Sequence, residues 1–279
     1  MRRRAWDNMA SMSDRSTIDG PFLVSGAAGG IGAACVAALR ASGRTAIGAD
    51  LAGRGADVDL DVTDPDAVED VVAGVVAEHG RLGGVVTAAG VGIGGPVENL
   101  DLELWHRAID VNLWGTIHLV RSAYPRLIEA GCGHLVLLAS LSGLVPTPLL
   151  VPYATSKWAV VGMARSLAPE ARRHGVGVTA VCPGPVDTEM LDAGGAFTHV
   201  TGGFDARRYL TDAAGPALPP AAVGDAAVRA IGARHVVVAP GRARILGRLG
   251  AVAPNTTARV ITRSMRKELD VIRSAPRPD

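Results

Sequence analysis

The sequence has few cysteines, no long apolar run and no excess of either charge, and each shortage excludes a class of protein. Its three cysteines, Cys35, Cys132 and Cys182, lie far apart with no C-x-x-C pair, so no disulfide framework is predicted. This cysteine usage favours a reducing compartment, and we expect a cytoplasmic location. No apolar run approaches the roughly 20 residues of a membrane span, and no apolar segment follows the basic N-terminus as it would in a secretion signal.

Charge of neither sign dominates, with 28 basic against 27 acidic side chains and a net charge of +1. That balance carries no whole-chain signature of nucleic-acid binding, so no nucleic-acid partner is expected. The seven histidines form no H-x-x-x-H or comparable ligand cluster, so we expect no metal site. At 279 residues and 48% hydrophobic content, the chain is long enough for one large α/β domain with a sizeable core.

A strand, a glycine-rich turn and a helix follow one another near the start of the chain. The apolar strand is residues 22–25, and it leads into the turn Gly26-Ala27-Ala28-Gly29-Gly30-Ile31-Gly32. Glycines at 26, 30 and 32 let the backbone turn tightly and approach a diphosphate, which the N–H groups and the positive dipole end of the helix would attract. A glycine turn without a ligand is the alternative, because the spacing differs from G-x-G-x-x-G.

The second predicted strand, residues 44–50, ends in Asp50, which lies 24 positions after Gly26. A carboxylate there can accept hydrogen bonds from the ribose hydroxyls of an adenosine and repel a 2′-phosphate, which favours NAD over NADP. Residues 27–29 include no lysine or arginine to bind such a phosphate, although Arg54 is close in sequence. The alternative is an aspartate that only caps a turn.

Short apolar strands alternate with helical stretches, which predicts a Rossmann-type α/β fold: a doubly wound parallel sheet of about seven strands between two helical layers. The later strands are predicted at 58–62, 85–90, 134–140, 176–182 and 235–239. In such a sheet ligands bind beyond the carboxyl ends of the strands, where Ala89, Gly90 and the hydroxyl of Ser140 are placed. Residues 187–220 show little periodicity and are predicted to form a mobile lid.

Tyr153 and Lys157 lie four residues apart in a predicted helix, so their side chains share one face. A fixed ammonium beside a phenol favours the phenolate, which is predicted to bring the pKa of Tyr153 toward neutral pH for proton exchange with a substrate oxygen. Taken alone, such a pair is more often a surface tyrosine beside a solvated lysine. Asn112, in a long helix predicted over 101–130, needs hydrogen-bond partners if it is buried, whether its role is structural or functional.

The order and spacing of these residues resemble those of the short-chain dehydrogenase/reductase family, in its compact single-domain branch, over about residues 20–240. The matching motifs are S-G-A-A-G-G-I-G (25–32), Asp61-Val62, T-A-A-G (87–90), Asn112, Ser140, Tyr153-x-x-x-Lys157 and P-G-P-V-x-T (183–188). Two positions depart from the family pattern. Ser25 replaces a threonine but keeps the hydroxyl, whereas Thr87 and Ala88 replace two asparagines, which puts the usual bracing of that strand in doubt.

The resemblance implies an NAD(H)-dependent oxidoreductase that interconverts a secondary alcohol and a ketone by direct hydride transfer. In the implied catalytic set, Tyr153 is the general acid or base, Lys157 lowers its pKa and holds the nicotinamide ribose, Ser140 binds the substrate oxygen and Asn112 anchors a water. The implied cofactor-binding set is Gly26, Gly30, Ile31, Gly32, Asp50, Asp61, Val62, Ala89, Gly90, Tyr153, Lys157, Pro183, Gly184, Val186 and Thr188. Leu141 and Val145 join Ser140 and Tyr153 at the substrate, which favours an apolar or alicyclic compound. A dinucleotide-sensing or scaffold protein without catalysis is the alternative on the same fold.

Three regions are expected: a disordered leader at 1–19, a dinucleotide-binding catalytic domain at 20–240 that includes the lid, and a basic amphipathic helical tail at 241–279. The tail holds eight arginines and one lysine against three acids. It could lie on an anionic membrane surface or pack on a partner subunit, but closure of the domain with a solvated basic face is preferred. The resemblance further implies a homodimer or homotetramer that pairs through the helices carrying Asn112 and Tyr153.

Overall fold

A parallel β-sheet lies at the centre of the part of the chain that the computed structural model describes, residues 18–192, 205–233, 235–264 and 266. Its strands are β1 (Phe22–Ser25), β2 (Ala46–Asp50), β3 (Val58–Asp59), β4 (Gly84–Thr87), β5 (Gly133–Leu138), β6 (Val176–Val181) and β7 (Val237–Val238). They pair in the order β3-β2-β1-β4-β5-β6-β7, and each of these pairings is parallel. The predicted doubly wound sheet is therefore confirmed.

Helices cover both faces of this sheet. They are α1 (Gly30–Ala41), α2 (Pro65–His79), α3 (Leu102–Ile109), α4 (Gly115–Ala130), α5 (Val151–Ala171), α6 (Ala206–Ala214), α7 (Pro220–Ala230), α8 (Ala243–Val252) and α9 (Pro254–Ser264). α1 and α7 pack together on one face, and α2, α4 and α5 cover the other. None of the described helices is both long and apolar enough to cross a lipid bilayer.

The central strands are apolar on both sides, as a sheet between two helical layers requires. On β1, Leu23 packs into the core shared with α2, α4 and α5, whereas Phe22 and Val24 pack against α1 and α7. β5 alternates in the same way. The continuous apolar runs of the sequence therefore become strands that are buried on both faces.

Local sequence signals set the two ends of α2. The Asp64 side chain accepts hydrogen bonds from the backbone N–H groups of Asp66 and Ala67, and Pro65 occupies the first helical position. The helix ends at Gly80, whose φ of 74° lies in the left-handed region. This capping directs the chain into β4.

The helix predicted over 101–130 is interrupted in its middle. α3 continues through a π-helical turn, Asp110–Trp114, into α4, and Asn112 lies within that turn. A π turn fits one extra residue into the helix without ending it. The apolar spacing of the sequence therefore still resembles that of one long helix.

The edge strands are shorter than the sequence predicted. Only Val58–Asp59 of the predicted strand 58–62, and Val237–Val238 of the predicted strand 235–239, pair with the sheet. β3 and β7 each have a neighbour on one side only, so fewer ladder hydrogen bonds hold them.

Part of the segment predicted as a mobile lid is a core element. Residues 206–214 form α6, and the Asp205 side chain caps it by accepting a hydrogen bond from the Arg208 N–H. Tyr209 is 1% exposed, and its hydroxyl donates to the carbonyl oxygen of Pro148. Residues 193–204 of the predicted lid lie outside the described residues, as do residues 1–17 of the predicted leader and residues 265 and 267–279 of the predicted tail.

A buried histidine at the start of β5 makes the stability of the fold depend on pH. His134 Nδ1 accepts the Gly232 N–H, so the proton is on Nε2, which donates to Thr179 Oγ1 at 3.0 Å. Burial lowers the pKa of His134 to about 4, below its ordinary value of 6.5. The unfolded chain therefore binds a proton near pH 6.5 that the folded chain does not bind until about pH 4. Stability that is present above pH 6.5 is lost as the pH falls from 6.5 toward 4.

We expect the free energy of unfolding to fall by roughly 2–3 kcal/mol between pH 7.5 and pH 4.5 through this group. Urea unfolding of the wild type and of His134→Gln at both pH values measures this decrease. The glutamine variant cannot take up the proton, so the difference between the two proteins is the contribution of His134. His79→Gln, at a partly exposed position, is the matched control and is expected to keep the wild-type dependence. Identical pH dependence in the wild type and His134→Gln would contradict the assignment.

Candidate active site

A cavity of about 810 Å³ opens at the carboxyl edge of the sheet. β1 has β2 on one side and β4 on the other, so the strand order changes direction between β1 and β4. In open α/β sheets this switch point is where ligands bind. All of the site residues predicted from the sequence line this cavity except Asn112.

The glycine turn forms one wall of the cavity and has no room for side chains. Gly26 has a φ of 68°, and a Cβ placed on it would lie 2.6 Å from the Ala89 nitrogen. A Cβ on Gly32 would lie 2.0 Å from the Gly26 oxygen. α1 begins at Gly30 with no side-chain cap, so its first N–H groups are available to a ligand. The turn therefore has the geometry of an anion-binding cradle.

Asp50 closes the same wall at the end of β2 and is 8% exposed. Its Oδ2 accepts the Ala28 N–H at 2.9 Å, and its Oδ1 accepts the Leu51 N–H at 2.8 Å. Arg54 Nε lies 3.7 Å from Oδ1. The carboxylate thus caps backbone groups, as the turn-capping alternative predicted, and lines the cavity as well. The two roles are compatible because each carboxylate oxygen accepts more than one hydrogen bond.

The end of β4 is braced by Ser25. Its Oγ accepts the Ala89 N–H at 3.2 Å. Thr87 is 2% exposed, and its Oγ1 has no hydrogen-bond partner among the described residues. The hydroxyl at position 25 therefore holds this strand end, and Thr87, which replaces a family asparagine, does not.

Asn112 connects the loop after β4 to α5. It is fully buried; its Oδ1 accepts the Val91 N–H at 2.8 Å, and its Nδ2 donates to the Val91 oxygen at 3.0 Å and to Ser156 Oγ at 3.1 Å. The Ser156 hydroxyl in turn donates to the Tyr153 carbonyl oxygen at 2.7 Å. The amide is thus held by protein groups and does not line the cavity. This geometry fits a positioning residue, and the predicted water contact of Asn112 stays a prediction.

Ser140, Tyr153 and Lys157 line one side of the cavity together. Ser140 Oγ accepts the Ser142 N–H at 3.1 Å. Lys157 is 5% exposed, and its Nζ lies 5.7 Å from the centre of the Tyr153 ring and donates to the Leu138 oxygen at 2.8 Å. The three side chains that the sequence singled out therefore meet in space.

The pKa of Tyr153 does not shift in the direction that the sequence predicted. Burial raises it above its ordinary value, while a hydrogen bond with the Ser140 side chain acts in the opposite direction. Burial also lowers the pKa of Lys157, to about 8. The expectation that the pKa of the phenol moves toward neutral pH is wrong for this arrangement, because the loss of solvation is the largest effect and the hydrogen bond with Ser140 does not offset it.

The segment after β6 closes the cavity above the glycine turn. The Leu141 N–H donates to the Pro183 oxygen at 2.7 Å, which ties this segment to the loop carrying Ser140. A Cβ on Gly30 would lie 2.6 Å from Thr188 Cγ2, so the two walls nearly touch there. Arg207 of α6 donates to Asp187 at 2.7 Å and to Asp192 at 2.8 Å, and this fixes the outer side of the segment.

Residues from the tail also line the cavity, which was not predicted from the sequence. Leu246 of α8 and Ile261 of α9 join apolar residues of the predicted lid in the lining of the cavity. α8 approaches closely because Gly247 and Gly250 face Leu144 and Val145: a Cβ on either glycine would lie within 2.8 Å of those side chains. In the sequence, the two glycines three residues apart were the signal that could have predicted this close approach of α8.

Comparison with known proteins places the chain among oxidoreductases. A family model described as short chain dehydrogenase matches residues 22–196. The 1-deoxy-11-beta-hydroxypentalenate dehydrogenase of Streptomyces avermitilis is 36% identical over 198 residues, which cover 64% of this chain and 73% of that protein. The D-threitol dehydrogenase of Mycolicibacterium smegmatis is 38% identical over 183 residues, covering 60% of this chain and 70% of that protein.

Solved structures agree with these relatives. A variant of actinorhodin polyketide ketoreductase with NADPH superposes with a TM-score of 0.70 and 26% identity, covering 82% of this chain and 97% of that one. A short-chain dehydrogenase from Streptomyces avermitilis superposes with a TM-score of 0.71 and 25% identity, covering 88% and 98%.

Proposed function

This chain belongs to the short-chain dehydrogenase/reductase family, and we propose that it interconverts an apolar secondary alcohol and its ketone with NAD(H) as cofactor. The observation that carries this proposal is the meeting of Ser140, Tyr153 and Lys157 in the cavity that the glycine turn also lines. A hydroxyl, a phenol and an ammonium at one wall are the groups that proton exchange with a substrate oxygen needs.

The residues of the cavity fit a nicotinamide dinucleotide, the cofactor class of the family. The turn is packed too tightly for a Cβ at Gly26 or Gly32, so its backbone can approach a ligand closely, and the first N–H groups of α1 have no side-chain cap. These features suit a diphosphate. Val186 and Thr188 lie on the wall above the turn and are assigned to the carboxamide end. When bound, the cofactor would supply or accept the hydride.

Side chains of the protein transfer the proton and bind the substrate oxygen. Because burial raises the pKa of Tyr153, the phenol is protonated at neutral pH and is ready to donate to a carbonyl oxygen. Ser140 Oγ accepts the Ser142 N–H and its side chain is hydrogen-bonded to Tyr153, so the two hydroxyls lie together where both can contact the same substrate oxygen. Lys157, with a pKa of about 8, is mostly charged at neutral pH and stabilises negative charge as the phenol loses its proton. Asn112 holds α5 in place through Ser156.

The substrate end of the cavity supports an apolar substrate. The side chains there are Leu141, Val145, Leu150, Met190, Leu210, Leu246 and Ile261. Apolar side chains predominate there, so the few polar residues of the lining, such as Ser142 and Thr147, only partly replace the hydrogen bonds to water that a substrate with several hydroxyl groups would lose. The two named relatives differ in this respect, since one is named for a pentalenate and the other for D-threitol.

A screen of alicyclic secondary alcohols, ketones and small polyols, followed by NADH absorbance with NAD and with NADP, tests the proposal. We expect alicyclic compounds to have a higher kcat/KM than polyols such as threitol, with NAD the better cofactor. Preference for polyols would contradict the substrate class. Dinucleotide binding without turnover of any alcohol or ketone would instead favour the sensor or scaffold alternative.

Asp50 is the residue to which we assign the preference for NAD. Its carboxylate lies at the end of β2 beside the glycine turn, where ribose hydroxyls could donate to it and a 2′-phosphate would be repelled. Hydrogen bonds to a charged group contribute about 1.5–3 kcal/mol each. For Asp50→Ala we therefore expect kcat/KM with NAD to fall about 10–100-fold while kcat/KM with NADP stays constant or rises.

Two further variants make that result specific. Asp50→Asn keeps an oxygen for the Ala28 N–H, so it separates loss of charge from collapse of the turn. Asp59→Ala removes an exposed aspartate paired with Asp50 across β2 and β3 and is expected to leave the cofactor preference intact. A wild-type protein that uses both cofactors equally would overturn the assignment, whatever the variants do.

We also propose that the protein is a homodimer or homotetramer. Trp114 on the π-helical turn is 50% exposed, and Trp158 on α5 is 45% exposed. They lie on the two helices, carrying Asn112 and Tyr153, through which a second copy is predicted to bind. Large exposed aromatic residues are typical of protein interfaces.

A further inference from the structure

The two tail helices have separate inner and outer faces. On the inner face, Ala243, Gly250 and Ile261 are buried, and α8 packs on Leu144 and Val145. The contacts that hold the tail on the domain are therefore all made by one side of each helix, which leaves the opposite side without a described partner.

The outer face is apolar in its middle. Ile245, Leu249 and Val252 lie on α8 at positions i, i+4 and i+7, which places them in one stripe, and they are 60%, 51% and 86% exposed. Val260 of α9 is 61% exposed. Leu246 of the same helix does not belong to this stripe, because it lines the cavity. Large aliphatic side chains exposed together mark an interaction surface.

The charge on these helices has one sign. Residues 240–266 contain six arginines and no aspartate or glutamate. Arg244 and Arg248 lie one turn apart beside the stripe on α8, while Arg259 and Arg263 flank Val260, and all four are exposed. None of these four forms an ion pair with an acidic side chain of the described residues.

We propose that this outer face binds an anionic lipid surface. The face consists of Ile245, Leu249, Val252 and Val260 with Arg244, Arg248, Arg259 and Arg263. The aliphatic side chains enter the boundary between headgroups and acyl chains, and the arginines bind the phosphates beside them. This surface is independent of the proposed reaction, and the lipid phosphates give the arginines a counter-charge that the described acidic side chains do not provide.

Other partners fit this face less well. In a two-fold pairing the face of one copy would meet the same face of the other, which brings the arginines of both copies together. A nucleic acid would match the arginines but not the stripe, since its aliphatic side chains offer no ring on which a base could stack. Of these three partners, only a lipid surface satisfies the charge and the apolar stripe together.

Flotation of the full chain with vesicles tests the proposal. We expect binding to phosphatidylglycerol/phosphatidylcholine vesicles at about 0.1 M salt, little binding to phosphatidylcholine alone, and release near 1 M salt. Arg244→Gln/Arg248→Gln is expected to weaken the partition coefficient about 30-fold, and Leu249→Ser about 10-fold. The matched controls are Arg172→Gln/Arg173→Gln, on an exposed turn after α5, and Leu102→Ser, which is 75% exposed on α3. Both controls are expected to bind as the wild type does.

Three outcomes would overturn the proposal. The first is no binding to anionic vesicles at low salt. The second is a change in oligomeric state with Leu249→Ser in sedimentation without vesicles, which would make the face an interface between copies. The third is salt-sensitive binding of a DNA duplex that Leu249→Ser leaves unchanged. All of the variants lie on exposed positions, and circular dichroism at each step separates lost binding from lost folding.

Discussion

Replacing Tyr153 by phenylalanine is expected to lower kcat about 10²–10⁴-fold while dinucleotide binding is retained. The change removes only the phenolic oxygen, which is the proton donor or acceptor in the proposed reaction. The ring and its position beside Lys157, 5.7 Å from Nζ, are kept. Turnover by NADH absorbance and binding by NADH fluorescence titration give the two readouts. Wild-type kcat in the variant would refute the acid/base role.

Tyr124→Phe is the matched control for that experiment. Tyr124 lies on α4 outside the cavity, and its buried hydroxyl has no hydrogen-bond partner among the described residues. Removing it makes the same chemical change with no loss of a bond, so activity is expected to be unchanged. The pH dependence adds a second check, because a phenol with a raised pKa favours ketone reduction at neutral pH and alcohol oxidation at higher pH.

Gly32→Ala is expected to weaken dinucleotide binding at least about 100-fold and to destabilise the fold by about 1–3 kcal/mol or more. The added Cβ would lie 2.0 Å from the Gly26 oxygen, a backbone atom that cannot rotate away as a side chain would. Gly26 itself cannot retreat, because it already lies against the backbone of residues 88 and 89. The turn must therefore open, and the amide groups that face the cavity move with it.

Gly74→Ala separates this effect from the general effect of replacing a helical glycine. Gly74 lies in α2, and no atom lies within 4 Å of a Cβ placed there. Alanine is the better helix former, so this variant is expected to be more stable by up to about 1 kcal/mol and to bind normally. Urea unfolding and NADH titration of both variants are the measurements. Normal binding by Gly32→Ala would show that the turn is not the cradle.

The doubly wound parallel sheet and the edge where the site lies could be predicted because both follow from the local pattern of strands and helices. Strands buried on both faces appear as continuous apolar runs, and the rule for parallel sheets then places their carboxyl ends together. For the same reason Ser140 and Asp50 could be assigned to one cleft from the sequence alone. A hydroxyl or carboxylate that directly follows a buried parallel strand lies at the carboxyl edge of the sheet, where the cleft is.

Features that depend on burial or on distant packing could not be predicted. The four-residue spacing of Tyr153 and Lys157 gives their shared face but not their depth, and depth decides the direction of the pKa shift. α6 was missed because it is only nine residues long and its apolar side has just two large residues, Tyr209 and Leu210; Tyr209 anchors it to Pro148, which lies 61 residues away in the sequence. The place of Leu246 in the cavity depends on how α8 meets Leu144.

The π-helical turn between α3 and α4 determines which side of α4 faces the sheet. Such a turn holds one residue more than an α-helical turn, so if residues 110–114 became α-helical with every residue kept, the helix would gain one residue's step. α4 would then rotate by about 100° about its axis relative to α3. Leu119, Ala123 and Leu127, which are now buried, would turn away from the sheet. The π geometry of this turn therefore keeps the buried side of α4 against the sheet while Asn112 stays in its place.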